Sequence, residues 1–345
     1  MMCNPRGLSR WAMIVLGVVT INNSLAVGQD TQRTKFQQEA FRKENKPNIM
    51  NQLSQNLQIS GGMDARAVWK EGNNVDPRLQ GVFLNLRKIF RDALGDRWIL
   101  SLQGDADDNF DKIRSYQTFL QHKGPLGKWN IRVGHYILPF GLLQEYDTER
   151  LLLRTIEDET IRIKLDTGIE IFGYWEDWDS ALSVSEGIGR RWGTNYDENY
   201  LISGRISRSW GDWKAGFSAL VGNVRTSEEF PLGDANLEEQ KVALDVVRET
   251  GPWILRGELV GGLEEERGMG NGLLLADYAI TNRLELNTKY ALIGRSEVEQ
   301  QLGIGVSFRW GKGWILRVSD TLEIESGETL NKFEIQLYYD FSKSF

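Results

Sequence analysis

The chain has 345 residues, of which 41% are hydrophobic and 26% charged, and its formal net charge is −7. That acidic balance argues against a nucleic-acid partner, and past the first 30 residues no apolar run approaches the roughly 18 needed for a membrane helix. The one cysteine, Cys3, sits near the start, so disulfides, thiolate catalysis and cysteine-bound zinc are excluded together. A membrane barrel survives these exclusions, because every second residue of its strands can be polar and face a wet lumen.

In chain order, MMCNPRGLSR carries Arg6 and Arg10, WAMIVLGVVTI is apolar, and NNSLAVGQD supplies small residues. This is the layout of a secretory signal peptide, so residues 1–28 are expected to be removed, with the cut after Ala26 or after Gly28. Residues 29–52 are polar and read either as a periplasmic leader or as a disordered tail. From about residue 56 the apolar period becomes two: Leu57, Ile59, Met63, Ala65, Ala67 and Trp69 share one parity, and Gln58, Ser60, Asp64 and Arg66 the other. The same alternation recurs in about sixteen segments through residues 53–345, of roughly 8 to 13 residues each, the length of a tilted membrane strand.

The connections alternate in kind. One set is short and ends on tryptophan: GDRW, GPLGKW, EDW, GDW, TGPW and WGKGW. The other set is longer and charged, and includes LEEERGMGNG, ESGETLNK and a stretch of about 30 residues over 138–167. Short turns on one rim and long loops on the other predict an all-β, antiparallel up-and-down barrel of the bacterial outer membrane, with the short turns periplasmic. Trp98, Trp129, Trp178, Trp213, Trp253 and Trp314, with Trp210 and Trp310, would form the periplasmic aromatic girdle against outer-membrane lipid. A soluble β-sandwich or propeller also has many short strands but requires no tryptophan ring at one end.

The final segment places Phe333, Ile335, Leu337, Tyr339, Phe341 and Phe345 on one parity, and a barrel in lipid requires this strand to pair with the first. In this it resembles bacterial outer-membrane proteins generally, a likeness that implies Phe345 is the signal read by the outer-membrane assembly machinery.

Within VGHYILPFG, the residues Gly134, Tyr136, Pro139, Phe140 and Gly141 follow a Gly-x-aromatic strand running into Pro-Phe-Gly. This stretch resembles the strand-to-loop motif of porin-like proteins related to the phosphate-selective porins. The resemblance implies a homotrimer and a third external loop folded into the lumen as a constriction; residues 138–167 fall at that place in the strand order. The loop contains Glu145, Asp147, Glu149, Arg150 and Arg154 and is net acidic, which departs from the lysine and arginine clusters of phosphate-selective relatives. Arg66 and Arg132 have lumen parity, so Asp147 and Glu149 facing them would set a transverse field across the constriction. Residues 150–165 fit either a lumen loop or an extra hairpin. Other charges of lumen parity are mixed in sign: Asp64, Arg205, Asp245, Arg256, Glu258, Arg283, Glu285, Arg309, Arg317, Glu323 and Glu334.

No cofactor, metal or catalytic site is expected. GDADDNFDK spaces Asp105, Asp107, Asn109 and Asp111 like a calcium loop, but Phe110 occupies the glycine position and Tyr116 the bidentate glutamate position. His122 and His135 read as rim histidines, His135 with outward parity, and no serine with an orienting partner accompanies them. The expected function is porin-like passive diffusion of ions and small hydrophilic solutes through a loop-narrowed channel; the alternative is a non-conducting adhesion barrel acting through its external loops.

Overall fold

The computed structural model describes residues 56–71, 75–92, 95–107, 112–144, 153, 156, 160–161, 163–189, 199–225, 236–295 and 298–345. The segments 1–28 and 29–52, read above as signal peptide and leader, lie outside the described residues.

Period-two patterning becomes sixteen strands. The first eight are β1 (Leu57–Lys70), β2 (Asp76–Asp92), β3 (Gly95–Asp107), β4 (Lys112–Lys123), β5 (Trp129–Ile137), β6 (Leu165–Trp175), β7 (Trp178–Ser185) and β8 (Tyr200–Trp210). The second eight are β9 (Trp213–Arg225), β10 (Asn236–Thr250), β11 (Trp253–Glu264), β12 (Arg267–Ala279), β13 (Leu284–Gly294), β14 (Val298–Trp310), β15 (Trp314–Glu325) and β16 (Glu328–Ser344). Each pairs antiparallel with its sequence neighbours, and β1 pairs with β16, so the sheet closes into a barrel. At the seam the Asn56 N–H donates to the Phe345 carbonyl and the Phe345 N–H to that of Leu57, both at 2.9 Å. Closure leaves no sheet edge, and this is the only β architecture that hydrocarbon tolerates.

The seam depends on two glycines of β1. A side chain on Gly62 would strike the Tyr339 carbonyl, and one on Gly61 would meet the Phe83 carbonyl at 2.8 Å. The bare backbone is covered instead by neighbouring rings, Phe83 over Gly62 and Phe341 over Gly61, which restores cross-strand packing where glycine supplies none.

Alternation sorts the side chains. On β6 and β7, Ile169, Ile171, Leu182 and Val184 are each more than half exposed on the outside, whereas Glu170, Ser183 and Ser185 are buried on the inside. Leu244, Leu259, Leu274, Leu302, Ile304 and Ile335 continue the outer apolar belt around the wall. A belt of that extent exceeds the few hundred Å² of contiguous apolar surface that a soluble monomer exposes. Among the described residues no helix is long and apolar enough to cross a membrane.

Two segments read as long loops are strands in the structure. LEEERGMGNG turns only at Glu265–Glu266, and ESGETLNK only at Ser326–Gly327. All four turn residues have positive φ, between 49° and 85°, the two-residue geometry that matches the twist of a hairpin. Charge and glycine in these segments mark strands extending beyond the apolar belt, where both faces of the ribbon can be polar.

Candidate functional site

Inward-facing positions carry most of the charge, and the closed register brings opposite signs together. Arg66 on β1 donates to Asp64 Oδ2 and to Glu334 Oε1, each at 2.6 Å, and its side chain is 2% exposed. Gln336 bridges Asp64 and Arg317 at 2.7 and 2.9 Å, extending this network over β15, β16 and β1. Arg205 pairs with Asp245 at 2.6 Å, and Lys241 with Glu264 at 2.7 Å and Glu239 at 3.2 Å. Arg256 pairs with Asp277, whose other oxygen accepts from Asn287 Nδ2 at 2.7 Å. Asp64, Arg205, Asp245, Arg256, Glu258, Arg317 and Glu334, all assigned to the lumen by parity, are buried on the inner wall.

The chain leaving β5 enters the barrel. Pro139 ends the strand, and Gly141, at φ 52°, turns the backbone into a short 3-10 turn over Gly141–Gln144. Leu138, Phe140, Ile161 and Ile163 pack against Leu201, Leu220, Val224, Leu237, Ala243, Val260 and Met269, inward-facing residues of β8 to β12. Further along, Ile156 packs on Leu273, Leu275, Ala291 and Ile293 of β12 and β13. Two hydrogen bonds fix the turn to the wall: the Gly141 N–H donates to Ser218 Oγ at 2.8 Å and the Leu142 N–H to Glu258 Oε2 at 2.6 Å. A side chain at position 141 would overlap the Glu258 carboxylate, so only glycine permits this approach.

These contacts seat Leu138, Phe140, Gly141, Leu142, Ile156, Ile161 and Ile163 on the β8–β13 side of the lumen. Most of residues 150–165, read as a lumen loop or an extra hairpin, lie outside the described residues; within the range the Thr160 N–H donates to the Ile156 carbonyl at 2.8 Å. Asp166, at the return into β6, accepts from Gly187 N at 2.6 Å, Thr167 N at 2.9 Å and Gly189 N at 3.1 Å, tying the loop after β7 to the same region.

Arg132 lies across the lumen from that segment's seat. It bonds Glu170 at 2.9 Å, and its guanidinium carbon lies 4.6 Å from the Phe119 ring and 4.8 Å from the Phe172 ring. The predicted loop residues Glu145, Asp147, Glu149, Arg150 and Arg154 lie outside the described residues.

At the short-turn rim, Trp98, Trp129, Trp178, Trp210, Trp213, Trp253 and Trp310 are exposed on the outer face, and Trp314 is partly so. Trp310 and Trp314 stack at 6.1 Å, and Trp314 meets Tyr339 and Trp253 meets Tyr278 at 4.6 and 4.5 Å. Arg208 and Arg248 lie over the Trp178 and Trp213 rings at 5.3 and 4.7 Å. Trp175, on the far side of the turn from Trp178, belongs to the same band and was missed because it precedes its turn.

His122 is a rim histidine, between Trp98 and Trp129 at 4.6 and 5.5 Å. His135 is not. It is fully buried, with Nδ1 3.1 Å from Thr167 Oγ1. Gly134, at φ 130°, directly precedes it, and both His135 and Tyr136 are buried, so the histidine is covered and does not lie at an open rim.

No family model matches the chain, and no curated protein matches it in sequence. Solved structures do match. The anion-selective porin from Comamonas acidovorans is 11% identical at a TM-score of 0.62, the match covering 83% of this chain and 99% of that one. OmpTdeltaL8, a loop L8 deletion mutant of the Vibrio cholerae outer membrane protein OmpT, is 9% identical at a TM-score of 0.66, covering 84% and 100%. A mutant of the Rh. blastica porin is 11% identical at 0.58, covering 83% and 100%.

The fold is the porin barrel. At these identities the likeness carries the architecture alone, so the residues that distinguish this porin-type barrel are those of its own inner wall. Sequence reading missed the loop anchors Ser218 and Glu258. Glu258 carried a signal, its lumen parity, but its partner is a backbone N–H more than a hundred residues away.

Proposed function

We propose that the chain is a bacterial outer-membrane porin that lets ions and small hydrophilic solutes diffuse passively through a loop-narrowed channel. The observation that carries this reading is the segment after β5, held against the inner wall of a closed sixteen-strand barrel by Phe140 and its neighbours and by Ser218 and Glu258. A loop fixed inside a barrel whose outer belt is apolar and whose inner wall is charged narrows a pore and brings charge close to the solute.

In this reading Glu145, Asp147, Glu149, Arg150 and Arg154 form the loop side of the constriction and Arg132 the opposite wall. Arg66, enclosed by two carboxylates, braces the wall and contributes little free field. Trp98, Trp129, Trp178, Trp213, Trp253 and Trp314 seat the short-turn rim at the periplasmic lipid interface, and Phe345 serves as the assembly signal. The trimer form described for Vibrio cholerae OmpT supports a homotrimer here as well. No enzyme chemistry belongs to this reading.

Planar-bilayer recording of the refolded chain in KCl tests it. Discrete open steps are expected, and a reversal potential under a salt gradient gives the sign of selectivity. A folded, heat-modifiable barrel that never opens would sink the porin reading and transfer function to the external loops.

A further inference from the structure

The inner wall is chemically uneven. Among the described residues, no aromatic side chain faces inward from β7 to β15, where Ser183, Ser203, Ser207, Ser218 and Lys241 are at most 2% exposed. On β4 to β6 the inner wall presents Phe119, Tyr136, Phe172 and Tyr174, and Tyr174 is 55% exposed. Phe172 and Tyr174 meet edge to face at 6.2 Å. The aromatic sector therefore lies on a different arc of the wall from the β8–β13 seat of the loop.

Arginines flank these rings. Arg132 is satisfied by Glu170 and by the faces of Phe119 and Phe172. Arg87 on β2 is different. It faces inward from the same cross-strand row as Ser101 and Phe119, it is exposed, and its side chain makes no hydrogen bond or ion pair among the described residues. The charges near it are Arg132 and Asp96, and Asp96 is already engaged by Arg91 at 2.6 Å. Ser101 and Gly134 keep the wall between these groups low, since neither fills the space in front of the neighbouring strands. Strands two apart lie about 10 Å from each other, a gap that an arginine and a six-membered ring fill together.

We propose that Arg87 and the Phe119 ring, with Phe172 beyond it, form a binding subsite on the channel wall for aromatic carboxylates. Arg87 supplies the planar fork that matches a carboxylate in two parallel hydrogen bonds. Arg132 covers one face of Phe119 and of Phe172, so an incoming aromatic ring meets their remaining faces and edges, offset or edge to face. Neither half suffices: a carboxylate without a ring gains one solvated pair, and a ring without charge gains a single partly wet stack. The inference rests on the porin reading and specifies a solute class for it.

Benzoate tests it, with acetate as the carboxylate lacking a ring and benzyl alcohol as the ring lacking a charge. Open steps in KCl first show that each barrel is folded and conducting. Benzoate is then expected to reduce the open-channel current at concentrations where acetate and benzyl alcohol do not. Arg87→Gln is expected to raise the half-blocking benzoate concentration about tenfold, the loss of one charge-assisted pair, and Arg87→Lys, which keeps the charge without the fork, by less. Conducting channels that respond equally to benzoate and acetate, or equally in the parent and Arg87→Gln, would overturn the subsite and leave the porin reading standing. Absence of any open step would overturn both.

Discussion

Replacing Phe140 with aspartate is expected to enlarge the single-channel conductance while leaving the barrel folded. Phe140 is fully buried in the cluster that seats the loop on β8 to β12. Losing a buried phenylalanine costs about 3–5 kcal/mol, before any charge of a carboxylate placed there. Beside the smaller apolar contacts of Leu138, Ile161 and Ile163, the polar tethers are the Ser218 and Glu258 hydrogen bonds, worth together about 2–4 kcal/mol, the second being the stronger because its acceptor is ionised. The apolar loss is the larger, so the segment should leave the wall. The barrel does not depend on it, because the strand ladders close around the lumen without it. Phe140→Leu, which keeps most of the buried surface, should behave like the parent. An unchanged conductance in Phe140→Asp would mean that this loop does not set the width of the passage.

Arg66→Gln is expected to be the most destabilising single change on the inner wall, by about 3–5 kcal/mol, because removing one partner of a buried charge network leaves the others unpaired. Asp64 bears most of this cost. Glu334 retains Lys332 at 3.3 Å, whereas Asp64 keeps only Gln336 as a hydrogen-bond partner among the described side chains. The effect should appear as a lower urea midpoint with an unchanged slope, together with a reversal potential displaced toward cations. Adding Asp64→Asn to the same chain should recover much of the lost stability, since a neutral amide pair needs no counter-charge. If the double variant is no more stable than Arg66→Gln, the arginine acts through packing and the charge account fails.

How much of this was legible beforehand varies with the range of the interaction. Strand number and face were legible because they depend on period two, a local property, and the parity that placed Arg66 and Arg132 inside is the same signal. The tryptophans marked one rim because each sits within a few residues of its turn. What a lumen charge pairs with was not legible: Arg66 meets Glu334 only through the closing register, 268 positions along the chain. Nor was the seat of Phe140, whose neighbours come from five strands, each contributing residues that could equally have faced water. His135 reads as a rim residue because parity gives the face a residue takes and not what covers that face. Glu265–Glu266 and Ser326–Gly327 read as parts of long loops because charge suggests solvent, whereas strands that rise beyond the lipid can be charged on both faces without ceasing to be strands.

The glycine-lined seam between β1 and β16 also sets the order of folding. Every other strand pair joins neighbours in sequence, so fifteen hairpin contacts are local. The seam bonds Gln58 to Ser342, 284 positions apart, and makes the largest single contribution to the contact order of the barrel. Thermodynamically this length is mild, since each doubling of a loop adds only about 0.6 kcal/mol of closure entropy. Kinetically it is decisive. Until the seam forms, two strands present unpaired N–H and C=O groups, which water accepts and hydrocarbon does not. Local hairpins can therefore assemble early, but no open sheet is stable inside the membrane, and insertion and closure must proceed as one step.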